Sequence, residues 1–489
     1  MMEAREACGV FGVYAPGRPV AHLTFDGLYA LQHRGQESAG MAVSDGDVIT
    51  VMKEMGLVTA VFDERKLSGL RGHLAIGHTR YSTAGSSDWR HAQPVFRGVG
   101  RAGFGLAHNG NLTNTEALGE KAGMLPGLAS SDSDLVAELL AQAYPADDPL
   151  RPSGPDDLER ALDAVLPDLQ GAFSLVLLDA DRVIGVRDPN GFRPLCLGRL
   201  EATADWTAGW VLASESPALD VIGATFIREL EPGEMVVLDA GGVRSCRPFS
   251  DSRVDPKLCI FEFVYFARPD ATLYGNEVHG ARRRMGRLLA TQEPVDADMV
   301  MGIPDSGVPA AEGYAFESGI PYGQGLVKNR YIGRTFIAPT QAERSTGVRR
   351  KLNPLRENIV GKRLVVVDDS IVRGTTNRGM VRMLREAGAT EVHLRISSPP
   401  FQWPCFYGID TPDRSELLAA TMTRPEMAEY LNVDSLDYLT LEHLFEAVNA
   451  PGAGFCDACM TGDYPVAVPG SDEIRRRLSL KPAPSRSTA

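Results

Sequence analysis

Nowhere in this chain do roughly 18–20 apolar residues follow one another, so no segment is suited to cross a bilayer as a helix. The opening, MMEAREACGVFGVY, lacks the basic region and apolar run of a secretory signal, and a cytoplasmic location is expected. Basic charge is in deficit: 50 Lys and Arg against 63 Asp and Glu leave a formal net charge of −13. That argues against broad nucleic-acid binding, because neutralising phosphates needs a cationic surface. A local basic pocket for a small anionic substrate stays open. There is no internal repeat, and no GK[ST] completes the glycine spacing of a P-loop. Cysteines number only seven, and in a reducing compartment they are candidates for catalysis or metal before disulfides.

At 489 residues the chain is too long for one ordinary core. Its first half carries short β-type runs between Gly, Asn and Asp turns: 171–179, 182–198, 209–216 and 233–243. Helical stretches interrupt them near 22–33 and 132–143. This pattern predicts an α+β layered domain over 8–245. In the second half strand-like runs alternate with helical ones, at 297–304, 362–369 and 390–399. Met380, Met383, Leu384 and Ala387 recur at helical spacing before a stop at Gly388. Such alternation predicts a parallel sheet of α/β class over 255–470. The polar stretch 251–257 is the expected boundary, and the tail 481–489 is expected to be disordered.

Cys8 sits seven residues from the start, in EACGVFGVY. Beside a β-type run a cysteine is ordinarily a small buried apolar residue. If residues 1–7 were removed as a leader, however, Cys8 would carry a free α-amine. With a reference pKa near ~8, that amine can take the thiol proton without a histidine. Other segments supply what amide hydrolysis needs. Asn109 and Gly110, in AHNGNLTN, can present a side-chain amide and a backbone N–H to a tetrahedral oxyanion. Arg34 in LQHRGQESAG and Arg80 in GHTRYSTAG are candidates for a substrate carboxylate, and Asp132 in SSDSD for its ammonium group.

These segments, in this order, resemble the class II amino-terminal-nucleophile glutaminase domains over about residues 8–240. The resemblance implies an αββα fold, Cys8 as nucleophile, Arg80 and Asp132 as glutamine binders, and Asn109 with Gly110 as oxyanion hole.

In VVVDDSIVRGTT (365–376) an apolar strand ends in paired acids, and a short loop opens a helix at Gly374. Helix-start N–H groups with the Thr375 and Thr376 hydroxyls form a site for a phosphate monoester. Asp368 and Asp369 are hard oxygen groups suited to ribose hydroxyls and magnesium. The motif, with Ser370 and Arg373 inside it, resembles the phosphoribosyl-pyrophosphate loop of type I phosphoribosyltransferases. A second strand–loop–helix junction, 302–315, is similar to that family's pyrophosphate-and-metal loop, which implies Ser306 near the Mg2+ ion. Between the junctions lies the basic segment 326–354. Lys328, Arg330 and Arg334 there are candidates for neutralising the pyrophosphate, in a long loop that could act as a lid.

Cys456 and Cys459 form CDAC, a spacing that lets both sulfurs meet one metal site. Cys259 and Cys405 stand apart. Spacing alone leaves zinc, a [4Fe–4S] cluster and buried thiols open. A glutaminase half followed by a phosphoribosyltransferase half resembles the amidophosphoribosyltransferase family. One branch of that family carries a [4Fe–4S] cluster, which implies all four cysteines as ligands in a structural role. The same resemblance implies glutamine and phosphoribosyl pyrophosphate as substrates, inhibition by purine nucleotides, and a homo-oligomer, often a tetramer. A non-catalytic nucleotide-sensing regulator with the phosphoribosyltransferase fold is the alternative, and the Cys8 constellation argues against it.

Overall fold

The computed structural model describes residues 8–81, 88–124, 131–145, 154, 156–329, 352–409, 411, 413–450 and 454–468. The expected leader and tail, together with Arg330 and Arg334, lie outside the described residues.

In the first half two antiparallel sheets stack face to face. One holds seven strands, in the order Thr225–Glu229, Cys196–Leu200, Gly209–Ala213, Gly9–Tyr14, Leu74–Arg80, Ser38–Ser44 and Ile49–Met55. The other holds six: Gly242–Cys246, Met235–Asp239, Val183–Arg187, Gly171–Leu178, Phe104–Leu112 and Val95–Arg97. Val10, Ile76, Ala107, Val176, Leu212 and Val236 fill the space between them. The outer faces are covered as well. Val20–Ala30 packs on the first sheet, and Asp132–Ala143 with Asp157–Val165 on the second. Strands covered on both faces, such as Gly171–Leu178, are buried at every position, which is why they read as continuous apolar runs. The layering is the αββα arrangement the resemblance implied.

The run 182–198 is not one strand. It splits into Val183–Arg187 and Cys196–Leu200, which lie in different sheets. Pro189, Asn190, Gly191 and Pro194 break the extended chain between them, and the segment crosses from one sheet to the other.

The second half carries four parallel strands in the order Met299–Gly302, Arg363–Asp368, Glu391–Ile396 and Ser435–Tyr438. Alternate side chains of the second of these face opposite ways. Val365 and Val367 pack with helices Val278–Gln292 and Val308–Ser318, while Leu364 and Val366 pack with Thr375–Glu386 and Arg424–Leu431. Met380, Met383 and Leu384 are buried, as their spacing predicted. Among the described residues no helix is long and apolar enough to cross a membrane.

The halves are tied closely. Lys257 donates its backbone N–H to the Asn190 carbonyl at 2.6 Å, and Cys259 donates to that of Phe192 at 3.1 Å. The Phe192 ring stacks on Tyr407 at 4.5 Å, a contact worth about 0.5–1.5 kcal/mol beyond its buried area.

Candidate active sites and a thiol cluster

Cys8 leads into the strand Gly9–Tyr14, and the register sets Gly9 opposite Thr79. Cys8 and Arg80 therefore stand at the same end of adjacent strands. The Cys8 thiol is buried and donates to the Tyr81 carbonyl at 3.6 Å. Burial pushes its pKa up, opposed by that contact and by the charge of Arg80. A thiol held this way stays protonated at neutral pH, so attack requires a base at the site. Arg80 is held by Glu37 at 3.0 Å.

Asn109 and Gly110 come from the facing sheet, and Asp132 from a helix packed on it. Asn109 and Gly110 lie inside the nine-residue strand Phe104–Leu112, not in a turn. Asn109 is fully buried, yet neither its Oδ1 nor its Nδ2 has a partner among the described residues. Leaving a buried amide unpaired costs about 1–3 kcal/mol, so such a group calls for a reason. Gly110 has φ +153°, and a Cβ there would stand 2.0 Å from the Ala172 carbonyl oxygen, so only glycine fits. Asp132 opens helix Asp132–Ala143, with Ser131 as its cap. Its Oδ2 accepts from Leu112 N–H at 3.2 Å and its Oδ1 from Ser133 N–H at 2.7 Å. Burial opposes its charge, but His108 and these amides hold its pKa below the ordinary carboxylate value. Its field reaches the Cys8 thiol, as do those of Arg80 and Glu37.

Arg34 does not join this group. Its guanidinium is fully buried and engaged by Glu215 and, at 2.5 Å, by Glu262 of the second half. Two carboxylates already engage it.

In the second half the two expected junctions meet at the carboxyl ends of neighbouring parallel strands, the usual place for ligands in such sheets. Ser306 donates its hydroxyl to Asp369 Oδ1 at 2.5 Å, and Ser370 donates to Asp369 Oδ2 at 2.6 Å. Asp368 Oδ2 accepts from the Asn377 side-chain amide at 2.8 Å. Gly374 precedes helix Thr375–Glu386 with φ +72°, a left-handed residue that turns the chain into the helix start. Thr375 is exposed there and Thr376 half-buried. Lys328 pairs with Asp305 in the other junction, and Arg373 with Glu416. Two residues escaped the reading of the sequence. Asn377 stands one residue past the recognised motif, and Glu37 carries no motif signal of its own.

The four cysteines converge. Cys259 and Cys456 are in-register partners in a two-stranded parallel pair. The Cys459 carbonyl accepts from the N–H groups of Gln402 and Trp403, just ahead of Cys405. Tyr407 donates its N–H to Cys405 Sγ at 3.4 Å. Burial, then the proximity of the other sulfurs, pushes the Cys456 and Cys459 thiols well up. Arg193 of the first half lies fully buried nearby. Burial opposes its charge, while Cys259, Glu262 and Cys405 raise its pKa. Among the described residues no three His, Cys, Asp or Glu are grouped to hold a single metal ion.

Residues 78–221 match the glutamine amidotransferase domain family, and residues 278–397 the phosphoribosyl transferase domain family. An amidophosphoribosyltransferase of Mycobacterium tuberculosis is 52% identical over 487 residues, covering 97% of this chain and 89% of that protein. One from Archaeoglobus fulgidus is 46% identical over 471 residues, covering 95% and 99%. A solved structure of the B. subtilis glutamine phosphoribosylpyrophosphate amidotransferase, complexed with ADP and GMP, superposes with a TM-score of 0.83. It is 43% identical and covers 94% of this chain and 98% of that one.

Proposed function

Because the chain belongs to the amidophosphoribosyltransferase family, we propose a residue-level account of how it takes ammonia from glutamine and places it on phosphoribosyl pyrophosphate. The reaction converts glutamine, phosphoribosyl pyrophosphate and water to phosphoribosylamine, glutamate and pyrophosphate, the committed step of purine synthesis. Cys8 is the nucleophile. Removal of residues 1–7 would free its α-amine as the base that the buried, protonated thiol needs. Arg80 receives the glutamine carboxylate and Asp132 its ammonium group. The Asn109 amide and the Gly110 N–H receive the oxyanion. The buried Asn109 side chain, with neither polar atom partnered among the described residues, is the observation that carries this half of the reading.

Asp368 and Asp369 hold the ribose hydroxyls, and the helix start at Thr375 and Thr376, with Ser370 and Gly374, receives the 5-phosphate. Members of this family take up magnesium with phosphoribosyl pyrophosphate. Ser306, Asp368 and Asp369 offer the hard oxygens such an ion requires, and when bound it neutralises the departing pyrophosphate. Lys328 and Arg373 are placed to release their carboxylate partners in favour of phosphate oxygens. Cys259, Cys405, Cys456 and Cys459 would hold a [4Fe–4S] cluster, which supplies a structural cross-link; the burial of Cys259, Cys456 and Cys459 and the mutual proximity of all four support this. The ADP and GMP in the B. subtilis relative support regulation by purine nucleotides. A cytoplasmic homo-oligomer completes the proposal.

The test separates the half-reactions. Cys8→Ala should abolish glutamine-dependent synthesis and leave synthesis from ammonium salts, followed as pyrophosphate release. Equal loss of both activities in folded protein would overturn the assignment.

A further inference from the structure

Gln93 belongs to no motif in the sequence, and its side chain joins two elements that carry residues assigned above to the glutaminase site. We propose that Gln93 is a positioning residue for glutamine hydrolysis, fixing with one amide both the strand of Asn109 and Gly110 and the helix start of Asp132. The inference rests on the roles given to those residues above.

The register shows why a side chain is needed. Val95 pairs with Leu106 in the edge strand, and extending the ladder by two residues would set Gln93 opposite His108. Pro94 intervenes, with no N–H to donate and a fixed φ, and the strand stops. The Gln93 side chain continues the pairing in its place. Its Oε1 accepts from the His108 N–H at 2.7 Å, and its Nε2 donates to Ser133 Oγ at 2.9 Å. Ser133 directly follows Asp132, and its hydroxyl lies 3.2 Å from Asp132 Oδ1 and 3.1 Å from His108 Nδ1. The His108 carbonyl meets His78 Nε2 at 3.0 Å. The residue just ahead of the oxyanion pair, His108, is thus held by side chains at both its N–H and its C=O.

The origin of the Gln93 side chain is fixed too. A Cβ on Gly40 would stand 2.2 Å from the Gln93 carbonyl oxygen, and Lys53 Nζ donates to the Ala92 carbonyl at 2.6 Å. The loop is thereby seated on the first sheet, which also carries Arg80. The one amide thus ties the residue before Asn109 to the residue after Asp132. Both its polar atoms are occupied, so Gln93 acts through its neighbours and not on the substrate.

Two substitutions split this role. Gln93→Met removes both bonds at similar size. It should lower glutamine-dependent kcat about tenfold and raise the glutamine KM about tenfold, as loss of one ordinary hydrogen bond to each element implies. Gln93→Glu keeps an acceptor for His108 but, as a carboxylate, has no donor for Ser133. Its KM should rise about tenfold with kcat within about threefold. Synthesis from ammonium salts should stay within about twofold in both, which also reports folding. Unaltered glutamine kcat and KM in Gln93→Met would overturn the proposal, as would equal loss of glutamine- and ammonia-dependent synthesis. Asp132→Asn separates the two levels. If it leaves the glutamine KM unchanged, the site reading itself falls. If it raises KM and Gln93→Met does not, only the role of Gln93 falls.

Discussion

Each acid of the Asp368–Asp369 pair has its own local support. Asn377 holds Asp368, while Ser306 and Ser370 hold Asp369, and both carboxylates are buried. A buried carboxylate so held keeps a fixed orientation, which suits recognition of ribose hydroxyls. Asp368→Asn combined with Asp369→Asn keeps the shape and removes the charge. Charge-assisted hydrogen bonds contribute about 1.5–3 kcal/mol each, so kcat/KM should fall roughly 100-fold or more. The loss should be the same with glutamine or ammonia as nitrogen source, because both need the sugar in place. Near-normal turnover with ammonia would show that the sugar site lies elsewhere. At this scale the sequence was informative where a residue type has few other reasons to occupy its place, as with paired acids at the end of an apolar strand. It held no sign of the partners that engage Arg34. HRGQ presents an arginine in a glutaminase motif, but its carboxylate partners Glu215 and Glu262 are 181 and 228 residues away, beyond any local signal.

Among elements, the two-residue strands Leu258–Cys259 and Phe455–Cys456 have little support of their own. Their pairing joins the start of the second half to a C-terminal segment and sets Cys259 beside Cys456. So short a pair is marginal without cross-linking or packing. A cluster bound to all four thiolates would supply that link. Protein prepared without air should be brown and contain about four irons and four sulfides per chain. Cys456→Ser should lower the unfolding midpoint without selectively slowing either half-reaction. Stoichiometric zinc with no sulfide would rule the cluster out. Periodicity revealed long elements such as helix Thr375–Glu386, whose buried Met380, Met383 and Leu384 follow its period. It could not reveal two-residue strands, which are too short to show alternation. Nor did it show that Val183–Arg187 and Cys196–Leu200 part company between sheets, because buried strands in either sheet look alike.

Across the whole molecule, the junction between the halves is organised around buried charge. Arg34 bridges Glu215 of its own half and Glu262 of the other, and Arg193 reaches Glu262 at 3.3 Å. Arg268 of the second half returns a backbone N–H to Glu215 at 2.9 Å. Glu215 is fully buried, and burial alone would raise its pKa. Arg34 and His33 more than offset that and hold it well below the ordinary carboxylate range. A folded-state pKa depressed in this way gives stability that is full above the unfolded value near ~4.3 and lost as pH falls through the folded one. Arg34→Met should therefore cost about 3–5 kcal/mol near neutral pH, since it leaves two buried carboxylates short of a counter-charge. The variant's Glu215 pKa should rise, because burial is then less opposed. Below that raised value its carboxyl is neutral and the missing guanidinium matters less. The stability gap between the native protein and the variant should accordingly be widest at neutral pH and narrow on acidification, as followed by denaturant unfolding across pH 4 to 8. A gap that stays constant over that range would mean the junction is held by its apolar contacts, such as Phe192 against Tyr407, and not by Arg34.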